Sequence, residues 1–126
     1  MEVTNADYLR VTGVPLLRGR WLAESDREGA PPAVVLSADA ARALFPAEEA
    51  VGRRVRLGRA MEATVVGVVG DTRFREYRAP RPSVYFAWRQ FPAAGSFLAV
   101  RTAGDPAAAF AAVRGAAAAV DPAMLV

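Results

Sequence analysis

Seven of the eleven aromatic residues fall between Thr72 and Phe97, interleaved with Arg73, Arg75, Arg78, Arg81 and Arg89. Arginine and tyrosine are enriched where proteins hold partners, because a planar fork of donors and a large rigid ring fix a surface at little entropic cost. Arg73, Arg75, Tyr77, Arg78 and Arg81 lie between a Gly-Asp turn signal and the prolines Pro80 and Pro82. This predicts a recognition loop mounted on a rigid sheet, suited to an acidic protein face, anionic lipid head groups or single-stranded nucleic acid. Not every ring here is free for that role. Alternation over Val84 to Trp88 sends Val84, Phe86 and Trp88 to one face of a strand and Tyr85 to the other, which assigns some of them to the core.

Other reactive side chains have plainer readings. The chain has no His and no Cys, so Ser-His-Asp triads, Cys-His pairs and imidazole or thiolate metal sites are excluded within it. Asp71 follows a strand and a glycine, a place for an acid or ligand, but also the place of an ordinary turn aspartate. Ser37 joins a strand to a helix, yet the glycines of a nucleophile elbow are missing and helix capping is the better reading. Glu24, Asp26 and Glu28 lack the spacing and glycine of a calcium loop, which predicts a solvated acidic turn. We expect no catalytic residue, no metal and no cofactor.

The elements that must position the loop centre on Ala63 to Arg73, with Val65, Val66, Val68 and Val69 stiff at χ1 and apolar on both sides. That stretch predicts a central strand with Val66 and Val68 on one face and Val65 and Val69 on the other, and Gly67 marks a bulge or a close neighbour. Before it, Thr4 or Asn5 opens a short helix that Gly13 stops, and Pro15 to Asp26 reads as an irregular connector anchored by Leu16, Leu17, Trp21 and Leu22. Pro32 to Ser37 is a strand feeding a helix with the stripe Ala41, Leu44 and Phe45, and Arg53 to Leu57 alternates as the first arm of a hairpin. Val84 to Trp88 and Phe97 to Arg101 supply two more strands. Asp105-Pro106 opens a last helix whose stripe Phe110, Val113, Ala117 and Val120 is expected to pack on the sheet.

Composition limits the rest. At 126 residues the chain fits one domain with its own core. The sixteen basic residues are all arginine, a coding bias, and a net charge of +3 is too mild to make nucleic acid the expected partner. No apolar run reaches the ~18 residues of a membrane span. The expected fold is a single α+β domain, residues 1–126, with a mixed, mostly antiparallel sheet of about five strands and about three helices.

The order of these signals resembles a known family. Asp7-Tyr8-Leu9, Gly13 to Arg20, Asp26, Val34 to Ser37 with Ala41 to Pro46, Val51 to Val55, Val65 to Asp71, Pro82 to Tyr85, Arg101-Thr102 with Gly104 to Pro106, and Val120 to Pro122 look like landmarks of the extracytoplasmic core domain of MacB-like, FtsX-type ABC transporter permeases. The resemblance implies a non-catalytic, periplasmic or outer-face domain fragment of a cytoplasmic-membrane protein, lying between membrane helices that are not in this sequence. It implies an ATP-binding domain or subunit as an indirect partner and an adaptor or cargo protein as a direct one. The alternative from another class is a free-standing small-ligand or nucleic-acid binding module.

Overall fold

The structure, a computed structural model, describes residues 2–58, 61–72, 81–92 and 98–121. In chain order the elements are β1 (Glu2–Thr4), α1 (Tyr8–Thr12), β2 (Leu16–Gly19), β3 (Ala33–Ser37), α2 (Ala38–Leu44), β4 (Arg54–Leu57), β5 (Met61–Val69), β6 (Val84–Ala87) and α3 (Pro106–Val120). The strands form one sheet in the order β1-β6-β3-β5-β2, with β4 also on β5. Two pairings are parallel, β1 with β6 and β3 with β5, and three are antiparallel. The α+β fold with a mixed, mostly antiparallel sheet and three helices is as the sequence predicts.

The valine-rich strand β5 holds the interior position expected of it. β3 lines one edge, while β4 and then β2 fill the other in succession, since Met61 to Thr64 pair with β4 and Gly67 to Val69 with β2. Gly67 is where the neighbours come closest: a β-carbon there would stand 2.1 Å from the Arg20 carbonyl oxygen, a clash with backbone that cannot yield. The parallel register slips at the same place, Val34 opposing Val65 but Val35 opposing Gly67, so Val66 is the extra residue of a bulge.

That bulge corrects the expected faces. Ala63, Val65 and Val68 join Val34, Leu36 and Phe86 on the side covered by α2, whereas Val69 and half-buried Val66 join Val35, Tyr85 and Leu22 on the side covered by α1. One inserted residue breaks strict alternation, so Val68 leaves Val66 and sides with Val65. Both faces are nonetheless covered, as a run of valines requires.

Several boundaries differ from expectation for physical reasons. β1 takes Thr4 into an edge strand, leaving Asn5 at the turn, where its Oδ1 accepts the Asp7 N–H at 3.2 Å. The expected connector contains β2, whose exposed Leu-Leu-Arg-Gly carries no alternation because an edge strand need not bury either face. In α2 Ala40 is buried in the core, Ala38, Ala41 and the capping Phe45 pack against it, and Leu44 is 53 % exposed. The segment Leu98 to Arg101 forms no ladder among the described residues, and Leu98 and Val100 are exposed. The last helix departs most: Asp105 caps it through Ala107 N–H at 3.0 Å as expected, but it has no buried residue, and of the expected stripe Phe110 and Val120 are exposed while Val113 and Ala117 are half-buried.

Candidate functional site

The sequence places the interaction surface on Arg73, Arg75, Tyr77, Arg78 and Arg81. The first four lie outside the described residues; Arg81 is exposed immediately before β6, and its carbonyl accepts the Ser83 hydroxyl at 3.1 Å. What the structure defines is the base from which this loop springs. Both of its roots are bolted to the start of α2.

The mechanism of that anchoring begins with Ser37. Its Oγ accepts the Ala40 N–H at 3.2 Å, so it caps α2 as expected, and it also accepts the Ser83 N–H at 2.9 Å. The Ser37 N–H in turn donates to the Ser83 carbonyl at 2.9 Å. Ser37 is fully buried, so two backbone donors depend on one hydroxyl that water cannot replace. The other root is held by Asp71, whose Oδ1 accepts the Asp39 N–H at 2.7 Å and whose Oδ2 pairs with Arg42 at 3.2 Å. An aspartate at the first turn of a helix meets its positive end and its orphan donors together. Asp71 is therefore a latch between β5 and α2, and its partners already occupy both of its oxygens.

Beside the Asp71 root lies an open hollow of about 390 Å³, lined by Tyr8, Thr12, Gly13, Val14, Pro15, Asp71 and Thr72. Tyr8, on that lining, belongs to an aromatic cluster. Tyr8 stacks on Trp21 with centroids 5.9 Å apart, and Tyr85 meets Tyr8 at 5.7 Å and Trp21 at 5.5 Å. The Tyr85 hydroxyl shares a hydrogen bond of 3.1 Å with Thr72 Oγ1, which ties the loop root to the cluster. Burial, then the neighbouring Tyr85 and Glu2, push the Tyr8 hydroxyl up to about 12, so it stays protonated and neutral at any physiological pH.

The expected division of the aromatic residues holds on β6: Val84 and Phe86 face α2, Tyr85 faces α1, and both rings are core. Trp88 lies past the strand end and is 53 % exposed, so alternation does not bury it. Phe91 packs edge-on against Phe86 at 5.2 Å. Phe74 and Phe97 lie outside the described residues.

The acidic turn is corrected. Asp26 is 5 % exposed, held by Arg20 through two hydrogen bonds of 2.7 and 2.8 Å and by the Ala23 N–H at 2.8 Å. The Arg20 guanidinium holds its carboxyl below the ordinary value, with help from Ala23 and against the cost of burial. Glu24 pairs with Arg89 at 2.7 Å and stays exposed, as does Glu28. The sequence signal for this pairing was the Arg-Gly-Arg run followed by Asp26, which carries no periodicity and so gives no hint that the turn folds back on itself.

The chain matches the family model of the MacB-like periplasmic core domain over residues 1–119. Among solved structures it is similar to the periplasmic region of MacB from Actinobacillus actinomycetemcomitans, at 22 % identity and a TM-score of 0.67, covering 92 % of this chain and 54 % of that one. It is also similar to a domain of a protein described as a permease from Porphyromonas gingivalis, at 15 % identity and a TM-score of 0.55, covering 90 % of this chain and 56 % of that one. The chain thus spans about half the length of each of these two structures. No curated protein matches it. With the family match over nearly its whole length and the same fold in these neighbours, the chain belongs to the MacB-like periplasmic core domain family, a periplasmic domain of ABC-type permeases.

Proposed function

We propose that this domain is a non-catalytic, extracytoplasmic module of an export or mechanotransmission permease that couples the motion of membrane helices to a partner subunit, adaptor or cargo. The observation that carries this reading is the family match over residues 1–119. In it, ATP is hydrolysed by a separate ATP-binding domain or subunit that reaches this module only through the membrane part. The domain works as a rigid body without a cofactor, and residues Arg73, Arg75, Tyr77, Arg78 and Arg81 form the contact surface. One feature supports that assignment: the two roots from which the loop departs are fixed to the start of α2 by Ser37 and Asp71.

The test is a Tyr77→Ala, Arg78→Glu double variant of the full-length permease. Its folded fraction and expression should match the wild type while assembly with the partner and transport fall. Normal assembly and transport would remove this surface from the reading, and tight oligonucleotide binding by the wild-type domain at physiological salt would favour a nucleic-acid module instead.

A further inference from the structure

Among the described residues, Trp88 and Phe110 are the aromatic ones that stand exposed, and Trp88 is the one fixed to the sheet. β6 runs antiparallel to β3, with Val84 opposite Leu36 and Phe86 opposite Val34, so Trp88 lies at the end of the sheet away from Ser37 and Asp71. Its backbone is held on both sides. The Trp88 N–H donates to the Thr4 carbonyl at 2.9 Å, and the Arg89 carbonyl accepts the Glu28 N–H at 2.9 Å. A 53 % exposed indole on a fixed backbone presents its apolar face in advance, which lowers the cost of covering it. Tryptophan and arginine are the side chains that most often anchor protein contacts, and exposed Arg89 stands next to it.

The surroundings narrow the kind of partner. A crevice beside the ring, bordered by Asn5, Leu22 and Glu24, holds about 10 Å³, room for one water and not for a ligand, so the ring meets a surface rather than a small molecule. The charges around it balance, with Glu24, Asp26 and Glu28 against Arg20, Arg27 and Arg89. That balance favours neither an anionic membrane nor nucleic acid. It is what a two-fold contact needs, because a patch that meets its own image must carry both signs. Arg89 Nε pairs with Glu24 Oε2 at 2.7 Å, and both side chains are exposed, so the pair can be exchanged at small cost for the same pair made between two copies. We infer that Trp88 is the centre of a self-contact, in which the indoles of two copies of this domain pack together and Arg89 of each faces Glu24 of the other. A patch built on one indole is small, so it closes where the copies are already held near each other, as in a permease confined to a membrane. The inference adds a second contact to the module proposed above and rests on that reading for its setting.

The test uses the full-length permease in membranes, with other reactive cysteines removed and Ala6→Cys, exposed on the rim of the crevice, as the reporter. Under mild oxidation it should form a cross-linked homodimer about tenfold faster than Leu17→Cys, which is 51 % exposed on β2 at the opposite edge of the sheet. Adding Trp88→Ala should bring the Ala6→Cys rate down to that of Leu17→Cys. Glu24→Arg or Arg89→Glu in every copy should slow cross-linking about fivefold, and pairing one variant with the other should restore it, since the altered charges then attract across the contact. Equal rates at the two reporters, or a rate that Trp88→Ala leaves unchanged, overturn the self-contact. An Ala6→Cys adduct with a different protein in place of the homodimer also overturns it and assigns this end to a heterologous partner. Cross-linking that is lost in Trp88→Ala while transport stays normal supports the contact and counts against the coupling reading, so the two fail separately.

Discussion

Asp26 shows how one buried carboxylate can organise a turn. Removing its partner with Arg20→Ala leaves the acid in place with only the Ala23 N–H, and should cost about 1–3 kcal/mol. The figure lies below that of a fully buried pair because the guanidinium is half exposed and screened. The folded pKa of Asp26 lies below its ordinary value, so the pairing is complete above the ordinary carboxylate range and is lost as pH falls through the folded pKa. Thermal melts of the wild type should therefore show stability declining from about pH 5 downwards, and Asp26→Asn should start lower and decline less. Parallel profiles for the two proteins would show that Asp26 is not the group responsible. Nothing in the residue types Glu24, Asp26 and Glu28 distinguishes the buried member; the contact is made by Arg20, six positions away, and depends on how the turn closes.

At the level of elements, the most consequential junction is Ser37 between β3 and α2, where a cap and a loop root share one hydroxyl. Ser37→Ala leaves two backbone N–H groups short of the partner they share at a buried position, and should lower stability by about 1–3 kcal/mol in a urea titration. A loss under about 0.5 kcal/mol would mean that the hydroxyl is dispensable and that the Ser37 N–H bond to the Ser83 carbonyl suffices to hold that root. The cap was legible in the sequence, as were β3, the β4–β5 hairpin, β6 and the start of α3, because each is announced by a local rule of alternation, proline placement or capping. β1 and β2 were not, since edge strands of three and four residues need no pattern of their own and exist by pairing with β6 and β5. The α3 stripe was legible as a face but not its shallow seating, for periodicity shows which side is apolar and not how much of it a neighbour covers. The loop residues were chosen by type and position, and the structure adds their anchors, Ser37, Asp71 and Thr72, whose roles depend on contacts across the fold.

For the whole molecule, the decisive property is a sheet covered on both sides. Val65 and Val69 project to opposite faces and are both fully buried. Val65→Asp and Val69→Asp should each place an unpaired carboxylate in the core and cost several kcal/mol, about enough to unfold a domain of ordinary stability. Folded protein with a cooperative melt from both variants would show that one face is open. The pairing of β1 with β6 carries a consequence of another kind, for it sets Glu2 beside Tyr85 and so joins the start of the chain to a strand far along it. As the polypeptide emerges on the far side of the membrane, β3 and β5 can pair early, but the outer edge of β3 stays bare until β6 arrives, and β1 has no seat before then. Pairings between such distant segments are slow to form, in the millisecond-to-second range of non-local topologies. A half-exported domain therefore offers an open valine-rich edge to its surroundings, and the moment of greatest exposure to misassembly or proteolysis falls before β6 has crossed.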